Sequence, residues 1–161
     1  MYNLLVTTFA IALLYALPFN LTAQDYDPAH EGWHYVLQDA YEESVQTNKP
    51  IMALFTGSDW CRPCMRMSKA VFDQPEFKGW AEKNVVLLEL DFPRRRSIPD
   101  EIRQQNGGLQ QALGVRGYPT VVVFNVEPNT ESGEMEIDDL GRTNFSGSLE
   151  DFAKTIEAML K

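Results

Sequence analysis

Leu37, Ala40, Tyr41 and Val45 recur at helical spacing, which predicts an amphipathic helix over roughly 35–47. Asn48-Lys49-Pro50 breaks it, and the apolar run Ile51 to Phe55 has the length of a strand. A second helix fits 61–72, with Cys64, Met67 and Val71 on one face. Pro75 to Lys83 reads as a short helix anchored by Phe77 and Trp80, and Val85 to Leu90 as a second apolar strand ended by Asp91-Phe92-Pro93. A helical region follows from Asp100 to Leu113, with an interruption expected at Gly107-Gly108. Thr120 to Val126 is a β-branched strand, Pro128 to Gly133 a turn, and Met135 to Leu140 the partner strand of a hairpin. The last helix takes Ser148 as N-cap with Asp151 three residues on, and buries a stripe of Leu149, Phe152, Ile156 and Met159.

Strands that alternate with helices imply right-handed crossovers and an α/β fold. The expected sheet is mixed: a parallel core closed by an antiparallel hairpin, flanked by helices. The 161 residues fit one domain, over 35–161, with no internal repeat, preceded by an extended lead-in at 24–34.

The first 23 residues read differently. Leu4 to Leu17 is an uncharged apolar run of 14 residues, shorter than the roughly 18–20 residues a spanning helix needs. Pro18, Asn20 and Leu21-Thr22-Ala23 follow, so 1–23 is read as a signal peptide cleaved after Ala23, with an uncleaved membrane anchor as the alternative. The n-region departs from the usual pattern in carrying no Lys or Arg. Export to the periplasm, or another space outside the cytoplasm, places cysteines where disulfides form and persist.

Composition is ordinary for a globular domain, with 44% hydrophobic and 23% charged residues. The 14 basic residues face 23 acidic ones, a net charge of −9, which argues against nucleic acid or anionic lipid as partner. The charge is uneven: residues 1–61 carry −6, 62–116 carry +3, and 117–161 carry −6. The basic segment begins at a Trp60-Cys61-Arg62-Pro63-Cys64 sequence that holds both cysteines of the chain.

Two cysteines three apart cannot build a disulfide framework, and they sit where a strand gives way to a helix. The unpaired N–H groups of a first helical turn stabilise a thiolate, and Arg62 adds a cation beside it. Pro63 suits that turn because its missing N–H would have no partner there. Cys61 at the exposed end is the expected nucleophile, and Cys64, one turn inside, the thiol that resolves a mixed disulfide. Trp60 is expected as a partly exposed platform beside the pair. Other readings are an inert structural pair, or a metal site in which His30 and His34 join the cysteines at a spacing suited to zinc or copper. His34 reads as a packing or surface residue near Trp33, and Arg94-Arg95-Arg96 as a solvated loop.

These residues resemble the thioredoxin superfamily, most closely its exported members and the C-terminal domain of the thiol–disulfide interchange protein. The resemblance spans roughly 33–161 and rests on Asn48-Lys49-Pro50-Ile51, Phe55 to Cys64, Leu90-Asp91-Phe92 and Val115 to Thr120. It implies a thioredoxin fold and a monomeric enzyme that exchanges thiols and disulfides with proteins, recycled by a membrane or soluble redox partner, with no prosthetic group or metal. It also implies a cis Pro119 facing the dithiol, with Tyr118 offering its backbone to an extended substrate. The family's buried acid six residues before the first cysteine is replaced here by Phe55, and Asp59 and Glu89 are candidates for its role. A binding or chaperone-like module without turnover is the alternative from another class.

Overall fold

The computed structural model describes residues 26, 28–128, 135–144 and 147–161. The signal-peptide reading of 1–23 and most of the 128–133 turn lie outside the described residues. The elements run α1 (Leu37–Thr47), β1 (Ile51–Thr56), α2 (Arg62–Met67), α3 (Pro75–Asn84), β2 (Val86–Asp91), α4 (Asp100–Ala112), β3 (Thr120–Pro128), β4 (Met135–Thr143) and α5 (Leu149–Met159). The strands form one mixed sheet in the order β2-β1-β3-β4.

Among the described strands β1 and β2 pair in parallel, from Ile51↔Val86 to Thr56↔Asp91, and His34 adds a single parallel bridge to Leu88 of β2. β3 pairs antiparallel to β1, with Thr120 beside Phe55, and β4 is antiparallel to β3. The parallel core is therefore a single strand pair. The α4 connection leaves β2 and re-enters β3 at the same end of the sheet, which reverses the strand and puts Pro119 at the end where β1 finishes.

Side chains alternate across the sheet. Met52, Leu54, Val121 and Val123 pack with Met67, Val71, Phe77 and Phe152 under α2, α3 and α5. Ile51, Ala53, Phe55, Val122 and Phe124 pack with Ala40, Leu109 and Leu113 under α1 and α4. Ser148 caps α5 as expected, its hydroxyl accepting from the Asp151 N–H at 3.2 Å and donating to the Asp151 carboxylate at 2.6 Å.

Two helices differ from expectation. α4 runs unbroken through Gly107 and Gly108, because Ile102, Asn106 and Leu109 bury one face and Asn106 donates to the Asp91 carbonyl at 2.9 Å. That anchoring offsets the roughly 1 kcal/mol each glycine costs relative to alanine. The helix expected over 61–72 is α-helical only to Met67 and finishes as a π turn over Ser68–Phe72. There the Asp73 N–H reaches back to the Ser68 carbonyl at 2.8 Å. Cys64, Met67 and Val71 stay buried on one face.

Candidate active site

β1 ends at the edge of the core, and Gly57-Ser58-Asp59-Trp60 carries the chain over into α2. The Cys61 N–H donates to the Gly57 carbonyl at 2.8 Å, closing this loop. Cys61 is the N-cap of α2, with extended backbone, and Pro63 lies in the first turn. The Cys61 sulfur accepts the Cys64 N–H at 3.3 Å, in the position a capping oxygen would take. Cys61 and Cys64 are joined as a disulfide, their Cα atoms 5.3 Å apart. Both are covered: Cys61 is 4% exposed and Cys64 2%. The expectation of an exposed Cys61 is thereby corrected for the oxidised form. Arg62 and Pro63 are exposed beside them.

The loop before Cys61 is clamped to the loop after β2. Asp91 is fully buried and accepts from the Ser58 N–H at 2.8 Å, the Ser58 hydroxyl at 2.6 Å and the Arg96 guanidinium at 2.6 Å. Arg96 therefore turns inward, unlike the solvated Arg94 and Arg95. The Asp59 carboxylate takes the backbone N–H groups of Arg94, Arg95 and Arg96 at 2.6–3.2 Å. These bonds, the Arg94 N–H first, hold its carboxyl below the usual range.

Trp60 is half-buried, donates its indole N–H to the Phe92 carbonyl at 2.8 Å and lies under the Arg94 guanidinium, 3.6 Å from ring centroid to carbon. Its ring meets Tyr118 edge-on at 6.0 Å, and Tyr118 stacks on Phe92 at 5.1 Å. Gly57 makes room for that indole, since a Cβ there would come within 2.5 Å of it.

The Tyr118–Pro119 bond is cis, and Pro119 is buried at the start of β3. A cleft of about 290 Å³ has Pro63, Arg66 and Met67 of α2 on one wall and Pro119 and Asn144 on the other. The fold thus brings Trp60, Cys61, Pro63, Cys64, Tyr118 and Pro119 together at one end of the sheet.

Of the two acids considered in place of the family's buried one, Asp59 is committed to the 94–96 backbone. Glu89 is buried behind α2, where it accepts from the Ala29 N–H, the His30 N–H and His30 Nδ1, each at 2.9 Å. His30 Nε2 lies 2.8 Å from the Ser68 hydroxyl. His30 and Ser68 share a cavity of about 260 Å³ with Cys64, Thr56 and Ser58. Sequence reading missed this His30–Ser68 bridge. Its one signal was Ser68, four residues past Cys64 and so on the same helix face. Phe55 belongs to the core under α1 and α4.

The histidines and cysteines of the postulated metal set are not assembled. His34 pairs with Glu43 at 2.5 Å, His30 is engaged by Glu89, and among the described residues no three His, Cys, Asp or Glu side chains are grouped to hold a metal.

A model of the thioredoxin-like domain matches residues 37–140. The chain is 39% identical to the disulfide bond reductase DsbH of Chlamydia pneumoniae over 89 residues, covering 55% of this chain and 54% of that protein. It is 30% identical over 104 residues to the thiol:disulfide interchange protein DsbD of Klebsiella pneumoniae subsp. pneumoniae, covering 65% of this chain and 16% of that one. The chain thus spans about half the length of the first relative. A solved structure of a DsbH oxidoreductase superimposes with a TM-score of 0.68 at 31% identity, covering 83% of this chain and 86% of that one. With a Cys61–Cys64 disulfide at a helix start, a cis-proline at the same end of the sheet and a family match over most of the fold, the chain belongs to the thioredoxin-like domain family.

Proposed function

We propose that the chain is an exported thiol–disulfide oxidoreductase that reduces disulfides of protein substrates. The observation that carries this reading is the Cys61–Cys64 disulfide at the first turn of α2, the helix that walls a cleft also lined by Pro119. In the reduced form Cys61 is the nucleophile. The Cys64 N–H already directed at its sulfur becomes a charge-assisted hydrogen bond when Cys61 ionises, and Arg62 adds positive charge. The Cys61 thiolate attacks one sulfur of a substrate disulfide, and the other sulfur leaves as a thiolate and takes up a proton. Cys64 then loses its proton and attacks the Cys61 sulfur. The substrate departs with two thiols, and Cys61–Cys64 is left oxidised. A membrane or soluble redox partner returns the two electrons.

Trp60, Pro63 and Asp59 shape the approach to the sulfurs, and the backbone around Tyr118 and Pro119 takes an extended substrate segment. The reductive direction is supported by the name of the relative DsbH, and the exported location by the apolar run at residues 4–17. Among the described residues no helix is long and apolar enough to cross a membrane.

Cys64→Ala tests the reading, because it leaves the mixed disulfide no internal exit. Purified from its native compartment without reductant, this variant carries covalently linked exported proteins, whereas Cys61→Ala carries few. Absence of such adducts from both variants would favour a binding module without turnover.

A further inference from the structure

Charge around the dithiol runs against the acidic balance of the whole chain. Two clefts meet at Pro119. The one against α2 contains Arg66, and the other, about 330 Å³ in volume, contains Arg116 and Arg142 beside Tyr118; neither is lined by a carboxylate. On the remaining side Arg94 lies over Trp60, which itself touches Tyr118. Arg62 and Arg95 are exposed close by.

Three acids of this end of the fold are already occupied, and Asp73 opens into the cavity beside Cys64 rather than into either cleft at Pro119. Asp59 holds the 94–96 backbone, Asp91 is buried against Ser58 and Arg96, and Asp139 pairs with Arg142. Arg62, Arg66, Arg94, Arg95 and Arg116 make no ion pair with a carboxylate among the described residues. Solvated arginines scattered over a surface would need no account. Arg66 and Arg116 line the two clefts that share Pro119, while Arg62, Arg94 and Arg95 lie outside both linings. The Arg94 guanidinium is stacked on an indole, whereas Arg142 already holds Asp139 and the Leu113 carbonyl and forms cleft wall without a free charge to offer. Guanidinium forks fixed against aromatic groups lose little freedom when they receive a carboxylate, and a cleft with low-dielectric walls focuses their field.

We infer that the groove around Pro119 selects substrate segments that carry Asp or Glu beside the reacting disulfide. This rests on the exchange reading above and adds the class of substrate.

Three disulfide-linked peptides of one sequence, flanked by Asp, Ser or Lys, provide the test. The rate of each with the reduced protein is divided by its rate with dithiothreitol, which removes the peptide's intrinsic reactivity. At about 0.01 M salt, where charges act over roughly 30 Å, the normalised rate for the Asp peptide exceeds that for the Lys peptide about tenfold. At about 1 M salt the ratio approaches one. Reversing two charges together, Arg66→Glu with Arg116→Glu, inverts the low-salt order. Equal normalised rates for all three peptides would overturn the inference and leave the exchange reading standing. No reaction with any peptide would overturn the exchange reading, and the inference with it. Charge reversal that leaves the peptide ratio unchanged but abolishes binding to phosphatidylglycerol vesicles would assign the arginines to a membrane surface and overturn the inference.

Discussion

Glu89→Ala removes the tie between the segment before α1 and the sheet behind the dithiol helix. The Glu89 side chain is 0% exposed, and its two oxygens accept three hydrogen bonds of 2.9 Å from Ala29 and His30. Because a carboxylate accepts from Nδ1–H, a neutral His30 presents Nε2 to the Ser68 hydroxyl, so the loss reaches the end of α2. Hydrogen bonds to a charged group contribute about 1.5–3 kcal/mol each, but three on one carboxylate do not add. Removing the carboxylate leaves the Ala29 and His30 donors unpaired, at about 1–3 kcal/mol for each buried group, and His30 at 11% exposure lets some water in. The expected loss is therefore about 3–4 kcal/mol. With a urea slope of about 2 kcal/mol/M, the unfolding midpoint falls by roughly 1.5–2 M. Glu89→Gln keeps the shape and one acceptor oxygen, and should fall between the variant and the parent. Amide exchange at Ala29 and His30 should accelerate in both. A Glu89→Ala midpoint within about 0.3 M of the parent would mean that the 29–30 segment is held by something other than this carboxylate.

Gly57→Ala pushes a Cβ to within 2.5–2.9 Å of three indole atoms of Trp60, whose N–H and face are both engaged. It should cost about 1–3 kcal/mol in urea unfolding and alter tryptophan emission, and an unchanged spectrum would count against the clamp. Limited alkylation of the reduced protein should label Cys61 before Cys64, with a Cys61 titration below the free-thiol value of about 8.5. Equal labelling would deny Cys61 the poised role. The Tyr26 hydroxyl is buried with no hydrogen-bond partner among the described residues, and burial, then Glu89 and Asp91, raise its phenol above the ordinary value. A raised folded value means that its contribution is complete below about pH 10 and is lost above it, as the unfolded chain ionises first. Tyr26→Phe should remove that alkaline loss and be neutral or stabilising near pH 7, as followed by urea midpoints against pH.

What could be read from the sequence follows from how local each signal is. The α5 cap and stripe needed only Ser148, Asp151 and a 3.6-residue period, and the structure has both. The meeting of the dithiol with Pro119 was legible through family resemblance, because Tyr-Pro-Thr before a β-branched strand is specific when a C-x-x-C precedes it. The reversal of β3 was not legible. Strand direction is set by where α4 packs, and Val121 to Phe124 would suit either neighbour. Gly107-Gly108 misled because propensity was outweighed by burial of Asn106 and Leu109 on the same helix. The Glu89–His30–Ser68 bridge depends on contacts across 38 to 59 positions, which no local period encodes. Cys61 looked exposed because it stands at a helix start, whereas in the disulfide form it is buried.

In the proposed reaction the Cys61–Cys64 pair donates electrons to protein disulfides. The most direct test is its reduction potential, measured by equilibrating the protein in graded ratios of reduced to oxidised dithiothreitol or glutathione and counting free thiols. A reductase requires a value near thioredoxin's, about −270 mV. A value near about −120 mV, that of a strong oxidant, would contradict the claim and turn the direction of exchange around.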